Sequence, residues 1–328
     1  MYSLILGGLG FIGTNYIKIA LKKKKIICID NLSYAANLDQ LKIFKKNNKF
    51  KFYKGNISNQ SLIKYIFKNF KIDSIVNFAA ETHVDNSITS PQIFVRRNVL
   101  DFTLFLEGLI KNPKFIKSNV RFLHISTDEV YGSLKLGQNK FKEENKFFTN
   151  SPYSASKASA EHFLRAWGKT FGLKYIIVNP SNNFGPFQNK EKFIPTIINS
   201  AINKKKIPIY GKGLNIRDWL YVEDNCYMID QVLKNGKLYE SYNIGGGNEL
   251  SNIVLVKKIC RILNELDKSF NYFKLISYVK DRPGHDFRYG VNSNKINKII
   301  KVKKFQSFDI NLKQTINWYL NNKKFLNK

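Results

Sequence analysis

Short apolar segments alternate with helix-length amphipathic segments through the first half of the chain. The apolar segments that have the length of a β-strand are SLILGG (3–8), IICID (26–30), FKFYKG (50–55), SIVNFAA (74–80), VRFLHIST (120–127) and KYIIVNP (174–180). Near-continuous apolar strands separated by helices are typical of a parallel sheet that helices cover on both faces. The pattern therefore predicts an α/β fold with a Rossmann-type, doubly wound parallel sheet.

The amphipathic segments between those strands predict the covering helices. They are FIGTNYIKIALK (11–22), the segments around 35–47, 58–69 and 90–111, and the long run YSASKASAEHFLRAWGKTFG (153–172). After about residue 180 the pattern becomes irregular, with many loops that contain Pro, Gly and Asn. We therefore expect a sheet-forming domain over residues 1–180 and a smaller, loop-rich ligand-binding region over residues 181–328, partly interleaved with the first.

The chain is strongly basic, with 54 Lys and Arg residues against 24 Asp and Glu residues and a formal net charge of +30. Such a charge can attract the phosphates of nucleic acid. The excess is mostly Lys, however, and it accompanies abundant Asn, Ile, Tyr and Phe, a composition typical of AT-rich coding sequence. No basic helix, RNP-type run or zinc finger accompanies it. We therefore expect no specific nucleic-acid partner.

The cysteines and the lengths of the apolar runs indicate in which cellular compartment the protein is expected. Cys28, Cys226 and Cys260 are odd in number and lack metal-ligand spacing, so the sequence predicts neither a disulfide framework nor a metal site. No apolar run reaches the roughly 18–20 residues that span a membrane. The first apolar stretch also lacks the flanks of a signal peptide. We expect a cytoplasmic protein without a membrane partner.

The sequence GGLGFIG places Gly7, Gly10 and Gly13 directly after the first strand and at the start of the first helix. Glycines there permit a tight turn and let a pyrophosphate approach backbone amides at the helix N-terminus. The second strand ends at Asp30, whose carboxylate can accept hydrogen bonds from the adenosine ribose and repel a 2′-phosphate. These residues predict a dinucleotide site that binds NAD rather than NADP.

Two further motifs suggest proton transfer. YSASK places Tyr153 and Lys157 four residues apart, on one face of a helix. An ammonium group near a phenol lowers the pKa of the phenol and equips it as a general base towards a sugar hydroxyl. STDEVYG places Asp128 and Glu129 at the carboxyl end of a strand, where α/β sheets bind their ligands. Two adjacent carboxyls with separated pKa values can serve as an acid and a base.

With these motifs the chain resembles the extended short-chain dehydrogenases/reductases of the NAD-dependent epimerase/dehydratase family, and among them the dTDP-glucose 4,6-dehydratases. The matching stretches run from residue 7 to residue 289 and are GGLGFIG, AAETHVDNSI, STDEVYG, SPYSASKASAEH, SNNFGP, PIYGKGLNIRDWLYVED, YNIGGGNE and DRPGHDFRY. The Gly and Tyr/Lys motifs identify only the superfamily. The Asp-Glu pair is more specific, because related epimerases and decarboxylases lack it.

The resemblance implies a redox-neutral dehydration of dTDP-glucose to dTDP-4-keto-6-deoxyglucose, a step in deoxysugar biosynthesis of the dTDP-rhamnose type. Tyr153, assisted by Lys157 and Thr127, would take the proton of the 4-hydroxyl while hydride passes from C4 to NAD. Glu129 would then remove the C5 proton and Asp128 would protonate the departing 6-hydroxyl. The hydride would finally return to C6.

The resemblance also implies two sets of binding residues. Residues that would contact NAD are Gly7, Gly10, Phe11, Ile12, Gly13, Asp30, Asn31, Ser33, Asn56, Ile57, Ala79, Ala80, Thr82, Tyr153, Lys157 and Asn183. Residues that would contact the nucleoside-diphosphate sugar are Thr82, Thr127, Asn182, Lys192, Pro208, Tyr210, Arg217, Asn252, Arg282 and His285. Arg217 would grip the diphosphate, a task suited to its guanidinium fork. Residues 1–180 would thus bind NAD, and residues 181–328 mainly the nucleotide sugar.

The chain departs from the family pattern at two positions. Asn56 stands where the family usually has Asp near the adenine, and Arg97 stands where a small Thr often faces the cofactor. Three alternatives stay open: a UDP-sugar 4,6-dehydratase, a 4-epimerase, and a basic nucleic-acid-binding protein on a degenerate dehydrogenase fold. Family analogy further predicts a homodimer built on the long helices around 90–111 and 152–171.

Overall fold

A computed structural model describes residues 1–116, 118–281, 283–300 and 305–327 of the chain. The strands are β1 (Tyr2–Leu6), β2 (Lys25–Asp30), β3 (Phe50–Lys54), β4 (Ile72–Asn77), β5 (Arg121–Ile125), β6 (Tyr175–Pro180), β7 (Asn182–Phe184), β8 (Ile207–Tyr210), β9 (Ile216–Tyr221), β10 (Ser241–Ile244), β11 (Glu249–Ser251) and β12 (Ile276–Val279). Every strand predicted in the first 180 residues is present, with its ends moved by a few residues.

The helices follow the predicted alternation in the first half and continue through the second. They are α1 (Phe11–Ala20), α2 (Leu38–Phe44), α3 (Gln60–Asn69), α4 (Val84–Thr89), α5 (Pro91–Phe94), α6 (Asp101–Ile110), α7 (Pro113–Ile116), α8 (Pro152–Phe171), α9 (Phe193–Ile202), α10 (Val222–Asn235), α11 (Asn252–Leu266), α12 (Asn294–Asn297), α13 (Phe308–Asn321) and α14 (Lys323–Asn327). A π-helical turn covers Val95–Leu100, and short 3-10 helices cover Asp128–Tyr131 and Tyr272–Leu275.

The main sheet has seven parallel strands in the order β10-β6-β5-β4-β1-β2-β3. One apolar layer packs on each of its faces, around Leu9, Tyr16 and Ile229 on one side and around Phe102, Phe105 and Leu164 on the other. The chain reverses its direction of travel across the sheet between β1 and β4. Ligands of doubly wound folds bind outside the carboxyl ends of the strands at such a point. The predicted fold class is confirmed.

The helical segment predicted around residues 90–111 is confirmed, because α5, the π-helical turn and α6 follow one another without a break from Pro91 to Ile110. Ser90 has φ −141° and ψ 62° and separates α4 from α5, because Pro91 follows it and the residue before a proline is driven out of the helical region. The π-helical turn then joins α5 to α6. A π-helical insertion shifts the side chains that follow it around the helix axis, so it sets which face of α6 meets the sheet.

The second half of the chain shares strand pairing with the first half. It builds a three-stranded sheet in the order β11-β9-β7 and a two-stranded sheet of β12 and β8. Its strand β10, however, pairs in parallel with β6 at the edge of the main sheet. The division at residue 180 stays a prediction. Among the described residues, no helix is long and apolar enough to span a membrane.

Candidate active site

One cavity opens at the carboxyl ends of the main-sheet strands. Every residue predicted to contact NAD lines it: Gly7, Gly10, Phe11, Ile12, Gly13, Asp30, Asn31, Ser33, Asn56, Ile57, Ala79, Ala80, Thr82, Tyr153, Lys157 and Asn183. The same cavity is lined by Thr127, Asp128 and Glu129. The structure therefore brings the predicted dinucleotide residues and the predicted acid-base residues to one place.

The glycine turn between β1 and α1 leaves the cavity floor free of side chains. Gly7 has a φ of +65°, and a Cβ atom there would lie 2.5 Å from the Ala79 Cα atom. A Cβ atom on Gly13 would lie 2.8 Å from the carbonyl oxygen of Gly7. Both distances are shorter than van der Waals contact, so larger residues would push the turn apart. The bare backbone next to the α1 N-terminus suits a pyrophosphate.

Asp30 is buried at the end of β2 and holds two loops of the cavity. Its Oδ2 accepts a hydrogen bond from the Leu9 amide at 2.9 Å, and its Oδ1 accepts one from the Leu32 amide at 2.8 Å. Burial raises the pKa of the Asp30 carboxyl, while these two amides lower it. A carboxylate oxygen can accept more than one bond, so Asp30 retains acceptor capacity for a ribose hydroxyl.

The Tyr153 and Lys157 side chains are both buried on α8 at the cavity wall. Burial and the negative charge of Glu129 raise the pKa of the Tyr153 phenol, and a hydrogen bond with Thr127 lowers it. The Lys157 ammonium donates to the Ile125 carbonyl at 2.7 Å and lies 3.5 Å from His124 Nε2. The pKa of Tyr153 is therefore raised rather than lowered, and the expected lowering by Lys157 is not among the causes of its shift.

Lys157 itself has a lowered pKa. Burial brings it to about 8, and the charge of Glu161 counteracts part of that change. His124 lies behind the ammonium with its Nδ1 3.1 Å from Asn77 Nδ2, and burial lowers the pKa of this imidazole well below its usual value. A neutral His124 avoids placing a second positive charge against Lys157.

Asp128 and Glu129 open the 3-10 helix after β5, and Thr127 caps it by accepting a hydrogen bond from the Glu129 amide at 3.3 Å. Asp128 is only 3% exposed. Its Oδ1 accepts a 3.4 Å hydrogen bond from Thr127, and its Oδ2 has no hydrogen-bond partner among the described residues. Burial, then Glu129 and Asp218, raise the pKa of the Asp128 carboxyl well above its usual value. An environment of this kind favours the protonated form of the carboxyl.

Glu161 is a buried carboxylate that connects α8 to the loop carrying Asp128 and Glu129. It is fully buried, one helical turn beyond Lys157, and accepts a hydrogen bond from Asn179 Nδ2 at 2.7 Å. The same Asn179 nitrogen donates to the Thr127 carbonyl at 3.2 Å. Glu161 also interacts with Ser126, which lines the cavity. The Tyr/Lys helix and the acid-base loop are thus tied to each other through one carboxylate.

The residues predicted to bind the substrate fall into two groups. Thr82, Thr127, Asn182 and Lys192 line the cavity. Pro208 and Tyr210 lie on β8, Arg217 lies on β9, Asn252 begins α11 and His285 lies in the loop after β12, all beyond the cavity wall. Arg282 lies outside the described residues.

Of the second group, Arg217 is connected to the predicted acid-base pair through Tyr289. The Arg217 guanidinium lies 4.2 Å from the centre of the Tyr289 ring, and the Tyr289 hydroxyl lies 3.4 Å from Glu129 Oε2. That hydroxyl donates to Asp286 Oδ2 at 2.6 Å. The positive charge of Arg217 also lowers the pKa of Asp128 against the larger effect of burial. The predicted diphosphate residue is therefore placed next to the predicted acid and base.

Ser126, Glu161 and Tyr289 were missed as site residues. Ser126 and Tyr289 lie within or beside the matching stretches STDEVYG and DRPGHDFRY, so their proximity to assigned residues was available as a signal. Glu161 lies within the matching stretch SPYSASKASAEH, and its spacing of four from Lys157 places both on one helix face. Among the described residues, no group of three or more His, Cys, Asp and Glu side chains is arranged to hold a metal ion.

The sequence model of the GDP-mannose 4,6-dehydratase family matches residues 4–315 of the chain. The chain belongs to this family.

Individual dehydratases match over almost their whole length. The dTDP-glucose 4,6-dehydratase of Salmonella typhimurium is 41% identical, and the match covers 100% of this chain and 95% of the relative. The dTDP-glucose 4,6-dehydratase of Bacillus anthracis, solved in complex with NAD, is 39% identical with a TM-score of 0.87 and covers 99% of this chain and 98% of its own. DesIV of Streptomyces venezuelae is a dTDP-glucose 4,6-dehydratase solved with NAD bound, and it is 34% identical to this chain with a TM-score of 0.90. The match covers 99% of this chain and 98% of the DesIV chain.

These matches confirm the resemblance read from the motifs. A 4,6-dehydratase needs an acid and a base beside its redox centre, and the cavity holds Asp128 and Glu129 beside Tyr153 and Lys157. The roles of the individual side chains stay predictions, because the matches concern whole chains.

Proposed function

We propose that the chain is an NAD-dependent dTDP-glucose 4,6-dehydratase that forms dTDP-4-keto-6-deoxyglucose and water. One observation carries the proposal: the buried Asp128 and its neighbour Glu129 line the same cavity as Tyr153 and Lys157. An oxidoreductase without elimination needs only the second pair. The identity of the full-length relatives as dTDP-glucose 4,6-dehydratases supports the same substrate and reaction.

The residues present fit NAD. The bare glycine turn accommodates a pyrophosphate, and the Asp30 carboxylate can accept from ribose hydroxyls and repels a 2′-phosphate. When bound, NAD takes up a hydride from the sugar and later gives it back. Tyr153 acts in its phenolate form: after releasing its own proton it takes up the proton of the sugar 4-hydroxyl. Thr127 holds the Tyr153 oxygen in position, and Lys157 would hold the ribose.

The elimination uses the two carboxyls in different protonation states. Once C4 is a ketone, the C5 hydrogen is acidic, and the Glu129 carboxylate removes it as a general base. Asp128 gives its proton to the 6-hydroxyl as the C6–O bond breaks, so that water leaves. The raised pKa of Asp128 favours the protonated carboxyl that this step needs. The proton can lie on Asp128 Oδ2, which has no hydrogen-bond partner among the described residues.

Isotopic labels test the proposed sequence of steps. We expect substrate that carries deuterium at C4 to give product with that deuterium at C6, because the hydride stays in the site between its removal and its return. Reaction in heavy water should place deuterium at C5, because the C5 proton passes through Glu129. Mass spectrometry and NMR of the product measure both labels. Stoichiometric transfer of the C4 deuterium to free NADH would instead identify a simple dehydrogenase.

The same measurement identifies the substrate. We expect loss of one water from dTDP-glucose when dTDP-glucose, UDP-glucose and UDP-N-acetylglucosamine are offered separately. Loss of water only from a UDP-sugar would contradict the thymidine assignment, and an unchanged mass with inverted C4 would identify a 4-epimerase.

We place the reaction in the reducing cytoplasm, since Cys28, Cys226 and Cys260 are free and buried thiols.

We further propose that the chain forms a homodimer through α8. Phe163, Trp167 and Phe171 follow one another at a spacing of four on this helix, with ring centres 5.9 Å and 5.6 Å apart. Phe163 is 38% exposed and Phe171 is 50% exposed. Exposed aromatic stripes of this kind mark protein interfaces, and a second copy of the same helix can cover the stripe by two-fold symmetry.

The dimer is tested with a pair of charged substitutions. We expect the wild-type protein to scatter light with twice the mass of one chain at micromolar concentration, and Phe163→Asp/Phe171→Asp to scatter with the mass of one. Circular dichroism should show an unchanged helix content in the variant. The exposed Tyr278, 60% accessible and on β12, which pairs with β8, provides the control substitution Tyr278→Asp. A wild-type monomer would refute the proposal.

A further inference from the structure

Three polar side chains form a connected cluster at the end of the cavity nearest β3. Asp101 Oδ2 accepts a hydrogen bond from Arg97 Nη1 at 3.0 Å and a second one from Asn56 Nδ2 at 2.8 Å. All three residues line the cavity. Asp101 is buried and opens α6, and Asn56 follows β3 directly. Because β3 is the edge strand beside β2, which ends in Asp30, we infer that the base of a dinucleotide whose ribose meets Asp30 would lie at this cluster.

The orientation of the Asn56 amide is fixed from both sides. Its Oδ1 accepts from the Ser58 amide at 3.2 Å, and its Nδ2 donates to Asp101. An amide nitrogen carries two hydrogens, so one N–H of Asn56 is left for a ligand. Both bonds to Asp101 end on Oδ2, and the Oδ1 atom is the acceptor that a ligand can use. The cluster therefore offers one donor and one acceptor side by side.

This arrangement accounts for the amide at position 56. A carboxylate there, the usual residue of the family, would meet the Asp101 carboxylate at about the 2.8 Å that now separates Asn56 Nδ2 from it. Two like charges at that distance cannot both stay ionised. In this chain the negative charge sits on Asp101, and Arg97, four residues earlier on the same helical segment, pairs with it.

We propose that Asp101 and Asn56 together read the purine base of the dinucleotide. Adenine presents the N6 amino group as a donor beside the N1 acceptor, which matches the Asp101 acceptor and the Asn56 donor. Hypoxanthine presents the O6 acceptor beside the N1–H donor, so both contacts are mismatched. Arg97 positions Asp101 without contacting the base edge. The inference rests on the proposed function, because it assumes that NAD occupies the cavity.

The competing explanation is that Arg97 and Asp101 are an ordinary surface ion pair on a helix. Such i,i+4 pairs contribute only about 0.3–0.5 kcal/mol to stability, and their removal affects all ligands alike. Base reading makes a different prediction, because only the carboxylate at position 101 distinguishes an amino group from a carbonyl oxygen. The deciding quantity is the ratio of two affinities rather than either affinity alone.

Calorimetric titration of the intact protein with NAD and with nicotinamide hypoxanthine dinucleotide measures that ratio. We expect wild-type protein to prefer NAD by about tenfold or more, since a mismatched buried polar pair costs on the order of 1–3 kcal/mol. Asp101→Asn should reduce the preference to about threefold or less, because the amide at 101 can turn its NH₂ group towards O6. Arg97→Met should weaken both dinucleotides by a similar factor and retain most of the preference.

Asp309→Asn is the matched control, because this exposed carboxylate pairs with Lys258 on α11 and lies outside the cavity. It should leave both affinities unchanged. Equal weakening of both dinucleotides by Asp101→Asn, or an unchanged preference, would overturn base reading while leaving the proposed function intact. Failure of NAD to bind the wild-type protein would overturn both. If Asp101→Asn failed to fold, the wild-type preference would decide alone, and a preference below about threefold would contradict the proposal.

Discussion

Glu129→Gln is expected to stop the loss of water while NADH still forms in a single turnover. The glutamine keeps the size and the hydrogen bonding of the side chain but cannot take a proton from C5. We expect the rate of dehydration to fall by about 100-fold to 10,000-fold, the usual contribution of a positioned general base. Rapid-mixing absorbance of NADH follows the first step, and quenched samples analysed by mass spectrometry follow the loss of water.

Asp128→Asn should affect a different step. Asp128 is buried with a raised pKa and is the proposed donor of the proton to the leaving hydroxyl, and an asparagine cannot supply that proton. We expect NADH to form and the C5 hydrogen to exchange with solvent, while water leaves slowly. The control is Asp85→Asn, which removes a carboxyl from the first turn of α4, outside the cavity wall. Equal and complete loss of the first NADH signal in both site variants would contradict divided roles.

Lys157→Met is expected to remove the alkaline limb of the pH profile for hydride transfer. Burial lowers the pKa of Lys157 to about 8, so the ammonium is present at neutral pH and is lost as the pH rises through about 8. The wild-type rate of NADH formation should therefore fall above that pH. The variant should be slower by about 100-fold or more and should lack this decline.

Stopped-flow NADH formation between pH 6 and pH 10 would check the expected alkaline limb. Lys169→Met, which changes an exposed lysine near the end of the same helix, should retain the wild-type profile. Tyr153→Phe should lose the first NADH signal at every pH, since the phenol is the proposed acceptor of the hydroxyl proton. A wild-type rate that keeps rising to pH 10 would contradict the assignment of the limb to Lys157.

The parts of the site that depend on local sequence were predictable. Gly7, Gly10 and Asp30 follow from the turn after β1 and the end of β2, and Asp128 follows from its place after β5. The start of the helical segment at Pro91 also followed from the sequence, since the proline excludes Ser90 from the helical region.

Contacts between distant parts of the chain were not predictable from one sequence. The pKa of Tyr153 rises because burial and Glu129 act on it, and neither is visible in the YSASK motif. Tyr289 reaches Glu129 across 160 positions. No sequence motif marked Asp101 as a cavity residue. Its partner Asn56 is 45 positions earlier, and only the folded chain brings the two side chains together.

The pairing of β10 with β6 has a consequence for synthesis on the ribosome. The residues predicted to bind the dinucleotide are all translated before residue 200, yet Ser241–Ile244 complete the sheet on which they stand. Until those four residues leave the exit tunnel, the β6 edge is an unpaired parallel strand of wholly buried type, a surface prone to wrong pairing. The β6 edge must therefore stay unpaired while about 60 further residues are added, and we expect it to be prone to aggregation during synthesis.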